Sequence, residues 1–155
     1  MNLYEQVIAR WKGQSLSRRP AVTWEDLSRF EESRGVKVPP DLRRVFLLSN
    51  GLAEGEYDQK SQIRFWPLEE LALVTDCAPE LTSTSYEGHL VFADYSIWSH
   101  GYSILPVSGE IFIVGAERPM YVADSMERFL TLYLSDSPGL FFQNPRLPIS
   151  ESGEA

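Results

Sequence analysis

The spacing of apolar residues changes period once along this chain, near residue 60, and that switch restricts the fold more than any other feature. Upstream the period is helical. Leu3, Val7, Ile8 and Trp11 share one face of a helix that Gly13 can end. Thr23, with Asp26 three residues on, is a candidate N-cap for a second helix striped by Trp24, Leu27 and Phe30 and closed by Gly35. Pro39-Pro40 suits the first turn of a third, with Leu42, Val45, Phe46 and Ser49 on one face and Asn50-Gly51 as its stop. Downstream the runs are short, β-branched and aromatic: Ile63–Trp66, Leu90–Ala93, Tyr102–Leu105, Ile111–Val114 and Met120–Ala123. The gaps between them are too short for crossover helices, so the strands should pair antiparallel, with Ser108-Gly109 as a hairpin turn. Pro67–Leu73 is a candidate short helix. Asp124 and Glu127 read as a capping box for a last helix that turns Met126, Phe129, Leu130 and Tyr133 inward. The expected fold is α+β: N-terminal helices, an antiparallel-rich sheet of four or more strands, and a C-terminal helix packed on the sheet.

With 155 residues and no repeat or linker, the sequence reads as one domain over residues 1–143. Residues 144–155 hold two prolines, a glycine and no periodicity, which is the composition of a flexible tail. Cys77 is the single cysteine, so neither an intrachain disulfide nor a cysteine-based zinc site is expected, and a reducing, cytoplasmic setting follows. Met1–Trp11 carries Glu5 and Arg10 and lacks the apolar core of a signal peptide. The runs Val45–Leu48 and Ile111–Ala116 are far too short to span a bilayer.

Charge divides unevenly. Residues 1–64 carry eleven Lys/Arg against nine Asp/Glu, a balance of +2, whereas residues 65–155 carry three against thirteen, a balance of −10. An acidic C-terminal part repels nucleic acid and attracts basic partners, although acidity also serves solubility alone.

Catalytic equipment is sparse. His89 and His100 stand eleven apart, outside any HxxxH or HExxH spacing. His89 precedes a strand and His100 falls in an expected loop; each reads as a surface or hydrogen-bonding histidine. No GxSxG, GxxxxGK[ST] or GxGxxG occurs. Among the carboxylates, Glu25-Asp26 and Glu31-Glu32 read as solvated faces, while Glu69 and Glu70 fall in an exposed turn and would point apart on a helix. Trp24, Phe30, Phe46 and Phe129 fit core stripes. Trp66 follows a strand and faces the Pro67 turn. Trp98 sits in the polar stretch Asp94-Tyr-Ser-Ile-Trp-Ser-His100, where an aromatic can anchor an interface, although for each tryptophan taken singly core burial is the first expectation.

Four segments in order resemble a known family. Arg34-Gly-Val-Lys-Val-Pro-Pro-Asp-Leu-Arg-Arg-Val-Phe-Leu-Leu-Ser-Asn-Gly51 resembles the GvxLPxdyxxfLxxxNG signature of the SUKH superfamily, the cell-wall-assembly-regulator-like proteins. Ile63–Leu71 resembles that family's strand and "pleel" turn, Val91–Asp94 its "fFad" strand, and Val122–Leu130 its closing "adSfeeFL" helix. The resemblance covers about residues 24–135. Val38 stands where leucine is usual, Leu42 where an aromatic is, and Met126 where phenylalanine is, all swaps that a core tolerates.

The resemblance implies a non-catalytic binding protein without cofactor or metal. Bacterial members act as immunity proteins that bind and block toxins, often nucleases, and fungal relatives act as regulatory scaffolds. The leading expectation is an immunity protein, monomer or weak homodimer, for a cognate toxin with a basic active-site surface, with no direct role for nucleic acid or membrane. A regulatory or scaffolding adaptor and an enzyme with an unrecognised carboxylate site are the alternatives. The expected partner-binding residues are Glu69, Glu70, Asp76, Glu80, Glu87 and Asp94, with Trp66 and Trp98 as anchors.

Overall fold

A computed structural model describes residues 1–81 and 84–146. The tail expected at 144–155 thus lies mostly outside the described residues. Three helices come first: α1 (Leu3–Gly13), α2 (Trp24–Arg34) and α3 (Pro40–Phe46). Strands β1 (Ile63–Phe65), β2 (Ala72–Leu73), β3 (Leu90–Tyr95), β4 (His100–Ile104), β5 (Ile111–Val114) and β6 (Met120–Ala123) form one six-stranded sheet, antiparallel throughout. A one-turn helix, α4 (Val74–Cys77), follows β2, and α5 (Met126–Leu134) follows β6. The sheet order is β1-β3-β4-β5-β6, with β2 pairing the other end of β3.

The helix starts obey the capping rules. Thr23 and Asp26 form the expected capping box, and Gly35 closes α2 at φ 68°. Asn2 and Glu5 form an equivalent box on α1. At α5 the cap is one residue later than expected. Ser125 receives the Arg128 amide at 3.1 Å, so no Asp124–Glu127 box forms. Helix α3 also ends early, at Phe46, because the chain then turns to pair with the preceding linker: the Val22 amide donates to the Phe46 carbonyl at 2.8 Å. Only Leu68–Glu70 of the Pro67–Leu73 stretch is helical, as one 3-10 turn, and β2 claims Ala72–Leu73. His100 opens β4 rather than lying in a loop, since the β3–β4 turn spans only Ser96–Ser99.

Asn50-Gly51 does more than end a helix. The Asn50 carboxamide accepts from the Leu68 amide at 2.6 Å and donates to Glu69 at 3.2 Å. Gly51 sits at φ 66° against the strand end, where a Cβ would lie 2.7 Å from the Trp66 carbonyl carbon. The pair therefore docks the third helix's exit onto the turn after β1.

Helices α1, α3 and α5 cover one face of the sheet. Trp11, Phe65, Phe92, Tyr102, Phe129 and Tyr133 interlock there, with Phe129 within 5.2–6.1 Å (ring centroids) of Tyr102, Phe92 and Phe65. Val38, Leu42 and Met126, the three departures from the SUKH pattern, are all buried in this core. Trp24 is not: it is 62% exposed. As the first residue of α2 its side chain leans back past the helix end, beyond the elements that cover Leu27 and Phe30. The opposite face of the sheet carries a smaller cluster of Val74, Ala78, Tyr86, Val91 and Val114, against which Trp66 and Trp98 pack half-buried.

Candidate functional site

The second face opens at the β1–β3–β4 end into a cleft of about 320 Å³ lined by Tyr57, Arg64, Trp66, Glu70, Cys77, Asp94, Ile97 and Trp98. Pairing of β1 with β3 sets Arg64 opposite Asp94, so both side chains project to this face. The β3–β4 turn then raises the cleft's far wall. Ser96, Ile97 and Trp98 follow one another at φ 46°, 55° and 60°, three left-handed residues without a glycine among them. Such backbone persists only where its surroundings over-determine it. Here the Trp98 amide donates to Asp94 at 2.8 Å, the Ser96 amide to the Gln62 carbonyl at 2.8 Å, and the Ser99 amide to the Tyr95 carbonyl at 2.8 Å. The turn leaves Ile97 at the tip, 83% exposed, and folds the Trp98 indole down over β4. Gly101 makes that possible, because a Cβ there would stand 2.7 Å from the Trp98 ring.

Asp94 organises the floor. It is 3% exposed and accepts from the Tyr57 hydroxyl at 2.6 Å, the Trp66 indole N–H at 2.7 Å and the Trp98 amide. Burial, and then this bond to Asp94, hold the Tyr57 phenol well above its ordinary range. Arg64 is committed elsewhere: its guanidinium donates to Glu70 at 3.0 and 2.9 Å and to the Ala53 carbonyl at 3.0 Å. The Trp66 and Trp98 ring centroids lie 5.8 Å apart at 32°. Cys77 forms part of the wall, its thiol pushed up to about 11 by burial, with Asp76 and Glu80 adding to the shift.

The expected residues thus separate into three groups. Trp66, Trp98, Glu70 and Asp94 converge on the cleft, but Asp94 faces inward as a scaffold rather than lying on the surface. Asp76 and Glu80 are exposed beside it, close enough to act on Cys77, and Glu87 is exposed after the Thr84–Tyr86 turn. Glu69 faces away, into an ion pair with Arg19 and a hydrogen bond from Asn50. Glu69 and Glu70 lie in an exposed turn, yet both are paired. Tyr57, Arg64 and Ile97 were not anticipated. Arg64 stands between Ile63 and Phe65 in an apolar strand run, Ile97 is a lone aliphatic residue in a polar turn, and Tyr57 lies in the aperiodic stretch before β1, so no sequence pattern marks any of them.

Among the described residues no group of three or more His, Cys, Asp or Glu is placed to hold a metal, and no helix is long and apolar enough to cross a membrane. His89 and His100 are both held below their ordinary range by burial, and His89 bonds Ser103 at 2.8 Å.

Every cleft residue lies within residues 21–132, the span matched by the model of the SMI1 / KNR4 family (SUKH-1). The chain belongs to this family. A search of curated proteins found no match. SUKH proteins include polymorphic-toxin immunity proteins. The SUKH-1 match begins after α1, so the family span supplies the cleft and α1 packs on from outside it.

Proposed function

We propose that this SUKH-1 chain is a bacterial, cytoplasmic immunity protein that binds and neutralises a cognate toxin through the face around Trp66, Ile97 and Trp98. The observation that carries this reading is the β3–β4 turn, which holds a branched apolar side chain in the open beside two half-buried indoles. An aromatic anchor set on a rigid, pre-formed support is the usual composition of an interface hot spot. Non-catalytic binding is supported by how the cleft's carboxylates are used: Asp94 and Glu70 are engaged by internal donors. The exposed Asp76, Glu80 and Glu87 add a negative field that suits a toxin whose active site is basic, as that of a nuclease must be.

The test uses the toxin domain encoded in the chain's genomic neighbourhood. Ile97→Asp and Trp98→Ala should each weaken the complex at least about tenfold, the loss typical of a hot-spot residue, and abolish protection of cells expressing the toxin. Replacing Asp76, Glu80 and Glu87 with their amides should slow association and flatten its salt dependence. Full protection by all these variants would overturn the assignment of this face. Binding to a non-toxin protein, without protection against any neighbouring toxin, would favour the adaptor role.

A further inference from the structure

The cleft is not neutral, and its charge has an unusual arrangement. Asp94 is buried beneath the indoles and its three donors are all uncharged: a phenol, an indole and an amide. Arg64 stands opposite on β1, but both its Nη atoms are spent on Glu70. The lining therefore holds one cation against two carboxylates, and Asp76 and Glu80 extend the imbalance along the Cys77 wall. No basic side chain other than Arg64 lines the cleft among the described residues. The Trp66 indole also donates its N–H to a carboxylate, which enriches the ring in electron density and strengthens its attraction for a cation above it. At 5.8 Å between centroids the two rings leave no room for a planar group between them, which needs about 7 Å at ordinary contact distance, so they act as a floor.

We propose that this cleft receives a cationic side chain of the partner protein, an arginine guanidinium laid over the Trp66 and Trp98 rings with the surrounding carboxylates as counter-charge. A guanidinium suits the site better than an ammonium, because it is planar, stacks on indole and sheds water more readily. The outer lone pairs of Glu70 remain free to accept from it, since Arg64 uses one direction on each oxygen. This inference rests on the reading of the face as the toxin-binding surface, but it can fail separately.

The experiment titrates acetyl-Gly-Arg-Gly-amide into the full chain and follows the indole N–H signals by heteronuclear NMR. Single tryptophan substitutions assign the four signals. The Trp66 and Trp98 signals should shift along one saturable curve. Trp24, in a separate groove on α2, and the buried Trp11 should stay in place. The citrulline peptide, uncharged but nearly the same shape, should bind at least about fivefold more weakly, and the lysine peptide should fall between them. Trp98→Ala should remove the response at Trp66, and Asp76→Asn with Glu80→Gln should weaken it while leaving the spectrum otherwise folded. Equal binding of the citrulline peptide, or Trp24 shifting on the same curve, would overturn the proposal. If the toxin binds through Ile97 and Trp98 while the arginine peptide does not, the cation site is wrong and the immunity reading survives. If the peptide binds and no toxin does, the reverse holds.

Discussion

Asp58 is where one substitution should do most damage to the fold. Its side chain is fully buried between α1, α5 and the loop before β1. It accepts from Arg10 Nε and Nη2 at 2.7 and 2.9 Å, the Tyr133 hydroxyl at 2.6 Å, and the Lys60 and Ser61 amides at 2.8 and 2.9 Å. Tyr133 in turn receives the Trp11 indole N–H at 2.8 Å. Asp58→Asn keeps the shape but aims an amide NH2 at donors whichever way it flips, because donors crowd both oxygens. Breaking a buried pair costs about 3–5 kcal/mol. Arg10 retains Asp136 at 2.7 Å and the Tyr133 carbonyl at 2.9 Å, so its charge is not stranded and the lower end, about 3 kcal/mol, is expected. Urea unfolding near neutral pH measures it. The pH dependence gives a second check. Burial pushes the Asp58 carboxyl up, but the bonds from Arg10, Tyr133 and the two amides outweigh it and hold the carboxyl well below the usual range. A depressed folded pKa contributes stability that is complete above the unfolded value of about 4 and is lost as pH falls through the folded one. Wild type and Asp58→Asn should therefore converge as the pH drops from about 4 downward. A loss under about 1 kcal/mol at neutral pH, or a gap that persists unchanged into acid, would refute the account.

Phe46→Ala and Phe129→Ala, at 2% and 0% exposure, should each cost about 3–5 kcal/mol by the same urea titration. Gly51→Ala should destabilise strongly, because its Cβ would meet the Trp66 backbone, whereas Gly35→Ala, with open space around it, should lose only about 1–2 kcal/mol from its left-handed backbone. His89 and His100 are held below their ordinary value by burial, so the stability they contribute is present above about pH 6.5 and lost as the pH falls through their folded values. His100→Phe, at a site stacked 4.8 Å from Tyr95 with its Nε2 unpartnered, should flatten that part of the urea-midpoint profile; an unchanged slope would exclude His100 as a source.

Much of the architecture was legible because it rests on periodicity. The helical stripes of α1 and α3, the Thr23 cap, the antiparallel strands and the inward face of α5 all follow from spacing alone. What failed were boundaries set by tertiary competition. Ser125 displaced Asp124 as cap because the chain enters α5 straight from β6, and β2 took residues that local sequence offered to a helix. Trp24 fitted a stripe yet found no neighbour to cover it. Within the site, Trp66 and Trp98 were identifiable by their flanks. The inward turn of Asp94 was not, since a carboxylate in a polar stretch reads as solvated until its cross-strand neighbours are known.

The cleft's geometry depends on an exchange no single residue announces. Three non-glycine residues in the left-handed region cost about 1–2 kcal/mol each, so about 3–6 kcal/mol together. One bond to a charged acceptor, worth about 1.5–3 kcal/mol, and three neutral bonds (the Ser96 and Ser99 amide bonds and the Ser99 hydroxyl donating to the Ser96 carbonyl at 2.9 Å), worth about 1 kcal/mol each, offset a sum of the same size. The near balance means that the turn is held by Asp94 and its neighbours rather than by local preference. Ile97 stands in the open because a buried carboxylate three residues earlier fixes the backbone beneath it. The acidic residues of this chain therefore divide by role: the buried Asp94 shapes the surface, and the exposed Asp76, Glu80 and Glu87 charge it.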